Sequence, residues 1–232
     1  DKTLANLVAE GLGLKVPAEI TSPINHSIPA DGDAAKFQPK PPKKSPSVSP
    51  ALSMANTPKD SIKTRKVAFL VADGFDEAAV LTMAKALEGA GAMAKLVALH
   101  GGTLLGAKGK ELAVDFSLLT TSSVLFDAVY VPGGAKSVAA LLKEADAVHF
   151  INEAYKHCKA IAATGEGVDL LRASHASGEL QVENRAAELP VAVCTGLIAS
   201  AASDARKVAD DFISAIAQHR HWSREQKGEV PV

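Results

Sequence analysis

From Lys66 onward, apolar runs and amphipathic stretches alternate along the chain. KVAFLVA reads as a buried strand, and DGFDE as a turn opening an amphipathic helix over about Asp76–Ala90. AKLVALH is a second strand, GGTLLGAKGKELAVD a glycine-rich hairpin, and AVYVPGG a third core strand ending in a turn. Helices are predicted at about Ala135–Lys143 and Asp146–His157. KAIAATGEG repeats the strand-then-turn pattern, and LPVAVCTG is another strand. A long helix over Ser203–Arg220 closes the pattern, with Ser203 as its N-cap. Apolar strands alternating with helices predict an α/β fold whose parallel sheet is covered on both faces.

The segment ahead of this pattern differs in kind. Nine of the twelve prolines lie between Pro17 and Pro58, with Phe37 the one aromatic among them. PKPPKKSPSVSP has the composition of an extended linker that cannot offset its ordering entropy by burial. Residues 1–16 place Leu4, Leu7, Val8 and Leu12 at helical spacing before Gly11 and Gly13 offer stop signals. A single short amphipathic helix is marginal alone, so this one is expected to belong to something larger. The division is therefore 1–16, a helical end; 17–64, a Pro/Lys-rich linker; and 65–232, the α/β domain.

Composition narrows the function. A net charge of −1 argues against a dedicated nucleic-acid binder, and no apolar run approaches a membrane span. Two cysteines, Cys158 and Cys194, exclude a disulfide framework and suit a reducing, cytoplasmic setting.

In open α/β sheets, reactive groups gather beyond the carboxyl ends of the strands. Those ends are Asp73–Glu77, Pro132–Ala135 and Thr164–Gly167. ATGEG has the form of a nucleophile elbow, with Thr164 at the elbow position. A threonine hydroxyl needs an adjacent base, and His175 is the candidate to approach it in space. The GEG and PGG turns match neither GxGxxG nor a Walker loop, so no nucleotide site is predicted. Cys158 and Cys194 read as packing residues, and His149 and His157 as helix-surface residues. His219 and His221 point apart on a helix, and nothing beside them completes a metal site.

KVAFLVADGFDE, AVYVPGG and IAATGEG resemble the class I glutamine-amidotransferase-like superfamily, in its PfpI-protease and heat-shock-chaperone branch. EAYKHCKAIAATGE, AQHRHWSR and the opening LVAEGLGL with its Pro-rich connector are similar to the C-terminal region of large-subunit haem catalases. The resemblance implies a flavodoxin-like domain. It also implies a parent enzyme that decomposes hydrogen peroxide with haem held by an N-terminal region outside this chain, so no cofactor is expected here. In the enzyme branch the elbow carries a cysteine, where this chain has Thr164. A glutamate buttress is implied where Ala79 stands, just after Asp76 and Glu77, and a histidine where Gly165 stands. The expectation is a non-catalytic domain that packs on the catalase core of its own or a neighbouring subunit. There it would stabilise the tetramer and extend the access channel. The alternative from the same resemblance is an ATP-independent chaperone holding unfolded clients, and more remotely a PfpI- or glyoxalase-like hydrolase.

Overall fold

The computed structural model describes residues 2–16, 33, 49–53, 56–178 and 192–225, the side chains of 192–194 excepted. Two units divide the chain, 1–49 and 50–232. In the first, helix α1 (Lys2–Gly11) forms where the leucine spacing predicts it and buries none of its residues. Most of the predicted linker, 17–32, 34–48 and 54–55, lies outside the described residues. Its last part belongs to the domain instead: Ile62 is 1% exposed in the core, and the Thr64 N–H donates to the Gly91 carbonyl at 2.8 Å.

The second unit is built on β1 (Lys66–Leu70), β2 (Met93–Ala98), β3 (Thr103–Leu105), β4 (Glu111–Ala113) and β5 (Phe116–Ser117). β6 (Ala128–Val131), β7 (Ala160–Thr164), β8 (Ala192–Cys194) and β9 (Leu197–Ser200) are its further strands among the described residues. Among the described residues its helices include α2 (Glu77–Gly89), α3 (Ala135–Leu141), α4 (Ala145–Lys156), α5 (Gly167–Arg172) and α6 (Ala205–Ala217). The main sheet runs β5-β2-β1-β6-β7-β9-β8, and β3 pairs with β4 as the predicted hairpin. β1, β6 and β7 read as unbroken apolar runs because helices cover both of their faces.

Alternate side chains of each strand feed two cores. Phe69, Tyr130 and Ala162 face α2 and α6, against Met83, Leu87 and Phe212. Leu70, Val131, Ile161 and Ala163 face α3, α4 and α5, against Leu141, Phe150, Ile151 and Leu171. Helix α2 begins where Asp76 accepts from the N–H groups of Ala78 and Ala79 at 3.0 and 3.1 Å.

Six strands are parallel, as the alternation requires, and β8 adds an antiparallel edge on β9. The predicted LPVAVCTG strand is β8. The parallel partner of β7 is the following LIAS segment, too short and unbracketed to stand out in the sequence. The last helix is capped by Asp204, which accepts from the Arg206 N–H, and not by Ser203. It ends at Ala217, so His219 and His221 lie beyond it, with His219 at a φ of 68°.

Candidate functional site

Three strand-to-helix turns meet beyond the carboxyl ends of β1, β6 and β7, as the chain order predicts. The Asp76 N–H donates to the Gly133 carbonyl at 2.8 Å, joining the first turn to the second. The Ala72 N–H donates to the buried Ser137 hydroxyl at 2.8 Å, tying β1 to α3. Gly134 has a φ of 117°, and a Cβ there would stand 2.4 Å from the Gly74 carbonyl oxygen. This crossing admits glycine alone because the obstruction is backbone.

The elbow itself differs from its sequence reading. Thr164 is the last residue of β7, and the left-handed residue at the crest is Gly165, with a φ of 55°. An elbow aims a side chain by holding that residue in a strained conformation, and here the crest has no side chain to aim. A Cβ at Gly165 would also meet the Ser203 hydroxyl at 2.7 Å.

Thr164 is 0% exposed and points into the core shared with α2 and α6. Its hydroxyl is hydrogen-bonded to the Tyr130 hydroxyl at 2.7 Å. Tyr130 lies edge-on to Phe69, with centroids 5.0 Å apart, and burial pushes its phenol well above the ordinary range. A neutral phenol bonded to a neutral alcohol supplies no base. His175 is exposed, with its N–H donating to Asn152 on α4, which covers the opposite face of the sheet.

Ala79 is buried in the core at the place implied for a carboxylate. Glu77 turns to the β3–β4 hairpin, where one oxygen accepts from the N–H groups of Lys108 and Lys110 at 2.7 and 2.9 Å. Asp73 accepts from the Leu105 N–H at 2.8 Å, so two of the three acids of the first turn hold that hairpin in place while Asp76 caps α2.

Glu166 is a site residue that the sequence reading missed. Its carboxylate accepts from the Gly134 N–H at 2.9 Å. That hydrogen bond, with a second from its own N–H, holds the carboxyl below the usual carboxylate range, against a smaller opposing effect of burial. The signal available was an acid one residue past a turn glycine, with a glycine pair after the preceding strand.

The chain's relationships agree with this fold. The profile of the C-terminal domain found in long catalases matches residues 63–226. The chain is 41% identical over 225 residues to a protein named catalase HPII from Mycobacterium avium, covering 97% of this chain and 29% of that protein. With catalase-2 of Bacillus subtilis it shares 34% over 224 residues, 97% of this chain and 27% of the relative. The chain belongs to the family of C-terminal domains of long catalases. It spans under a third of the length of these curated relatives. Among solved structures, a ThiJ/PfpI domain protein from Brachyspira murdochii superposes with a TM-score of 0.53 at 20% identity, over 67% of this chain and 95% of that one. This likeness shows a shared fold.

In this catalase C-terminal domain, the remaining sequence candidates stand apart from the three turns. Cys158 is buried, and the strand position of Cys194 is described without its side chain. His149 and His157 are exposed on or just after α4, as predicted. Among the described residues no group of three His, Cys, Asp or Glu side chains could hold a metal ion, and no helix is long and apolar enough to cross a membrane.

Proposed function

We propose that this chain is a non-catalytic structural module of a long haem catalase. It packs on the catalase core of its own or a neighbouring subunit, stabilises the tetramer and lengthens the channel leading to the haem. The observation carrying this reading is the elbow, where Gly165 occupies the crest and the Thr164 hydroxyl is sealed inside against Tyr130. Nucleophilic catalysis needs an aimed, activated side chain, and this turn presents none. Haem does not suit the residues here either. Tyr130 is enclosed by Phe69, Phe212 and Thr164, and the Tyr155 ring carries the Arg224 guanidinium 4.8 Å from its centroid. Neither tyrosine is placed to supply an axial oxygen, so we assign the haem to the remainder of the longer polypeptide.

The test compares the longer catalase with a form truncated before Ile62. Turnover per haem should persist, while tetramer assembly weakens and the half-life of thermal inactivation shortens. Unchanged assembly and inactivation would remove the structural role. Hydrolysis of methylglyoxal or a peptide by the 232-residue chain, abolished by Thr164→Ala, would replace it with an enzymatic one.

A further inference from the structure

Between β5 and β6 the chain packs against helix α4 and turns three apolar side chains to solvent. Leu119 is 79% exposed, Val124 72% and Leu125 56%, while the flanking Leu118 and Phe126 are buried in the core below. Exposed apolar clusters with a polar border mark contact surfaces on soluble domains. This stretch and α4 enclose a groove of about 220 Å³, lined by Leu119, Ser122, Asp146, His149, Phe150 and Glu153.

The backbone carrying these side chains is held from beneath. Ser123 is buried, and its carbonyl accepts from the Nζ of buried Lys159 at 2.5 Å. The N–H groups of Leu125 and Phe126 close a turn onto the Ser122 and Ser123 carbonyls at 3.2 and 3.0 Å. Phe126 is wedged between Phe116 and Phe150, with centroids 5.6 and 5.8 Å away. Apolar groups on an ordered turn need little further ordering when they are covered, which is the property of a preorganised contact surface.

We infer that the face formed by Leu119, Val124, Leu125 and the α4 groove is the seat of the catalase core. This deepens the reading given under Proposed function and rests on it. The occupant is part of the longer polypeptide outside this chain. It presents an apolar segment to Leu119, Val124 and Leu125, and a cationic side chain to Asp146. Two observations select it. The chain accounts for 29% and 27% of its relatives' lengths, so most of such a polypeptide lies outside it. The groove lining carries Asp146, His149 and Glu153, with Glu153 3.5 Å from His157, so a cation on the covering surface complements Asp146.

The experiment places photoreactive p-benzoylphenylalanine at Val124 in the assembled catalase, and in a second preparation at Lys207 on the exposed side of α6. Irradiation should join position 124 to peptides outside residues 63–226, at a yield several-fold above position 207. A third preparation with the probe at Leu119 should also join to the core and should lose that product when Val124→Asp and Leu125→Asp are added. Both replaced side chains are exposed, so the isolated chain should keep its melting temperature. Equal yields at 124 and 207, or products joining 124 only to residues 63–226 of another copy, overturn the proposal. So does capture of a heat-unfolded test protein by the isolated chain without any product to the core, which would give the face to a chaperone role. A truncation that leaves assembly unchanged defeats the structural reading, whereas crosslinking reports the contact alone, so the two failures are separable.

Discussion

The two ends of the sheet solve the same burial problem with opposite chemistry. At the carboxyl end, where this fold places reactive groups, the buried pair is neutral: the Tyr130 phenol and the Thr164 hydroxyl satisfy each other. At the amino end, a buried lysine, Lys159, donates to the Ser123 carbonyl, while its own carbonyl accepts from the buried Arg224 guanidinium. Arg65 and Asp127 pair nearby at 3.1 Å, and the Lys66 N–H donates to the same carboxylate at 2.9 Å. The end suited to chemistry is therefore sealed with groups that do not titrate near neutrality. Buried positive charge lies at the other end, where it clamps the chain after α6 and the turn beneath Val124 and Leu125. Perturbed buried groups commonly mark function, but this contrast shows that they also arise from structural anchoring.

The largest expected effect tests whether the carboxyl end is locked by its backbone. Gly134→Ala introduces a Cβ at 2.4 Å from the Gly74 carbonyl at a φ of 117°. Overpacking against backbone should cost more than about 3 kcal/mol, seen as a large fall in the urea midpoint or loss of soluble protein. A near-normal midpoint would mean the turns can separate.

At the other end, burial lowers the Lys159 ammonium from 10.5 to about 8, with Arg220 adding to the effect. Between those values the unfolded chain keeps a proton that the native state has shed, so stability rises with pH. The gain should be about 2–3 kcal/mol between pH 8 and 10, and Lys159→Met should flatten it in urea titrations at fixed pH. Above pH 10 the Tyr130 phenol, raised in the fold, opposes the trend because only the unfolded form ionises readily.

A double-mutant cycle sharpens the neutral half of the comparison. Tyr130→Phe leaves the Thr164 hydroxyl buried without its partner and should cost about 1–3 kcal/mol. Combined with Thr164→Val, the loss should be smaller than the sum of the single changes. Strict additivity would show that the two hydroxyls do not depend on each other.

The smallest change is expected at Glu166, which is exposed. Glu166→Gln should reduce stability by a few tenths of a kcal/mol at neutral pH, given solvent screening. The wild-type advantage is present above the ordinary glutamate range and disappears as acid protonates the carboxyl through its lowered folded pKa. A difference that persists fully in acid would point to packing and not to charge.

Residue order alone determined the elements with strong periods and clear punctuation: β1, β6, β7, α2 and α4, and with them a sheet whose carboxyl ends bring Asp73–Glu77, Pro132–Ala135 and Thr164–Gly167 together. Motif likeness also identified the family, which requires local runs and no three-dimensional knowledge. Tertiary structure decided the rest. Whether Thr164 stands on the crest or beneath it depends on one backbone angle at Gly165, which the letters ATGEG do not specify. Ile62 reads as a linker residue until the turn at Gly91 gives it a core to enter, and LIAS becomes a parallel strand of the main sheet only because β7 offers it an edge. The Tyr130–Thr164 and Glu166–Gly134 pairs join residues 34 and 32 positions apart. Such pairings are set by strand order and side-chain direction, which are properties of the assembled sheet and not of any single segment.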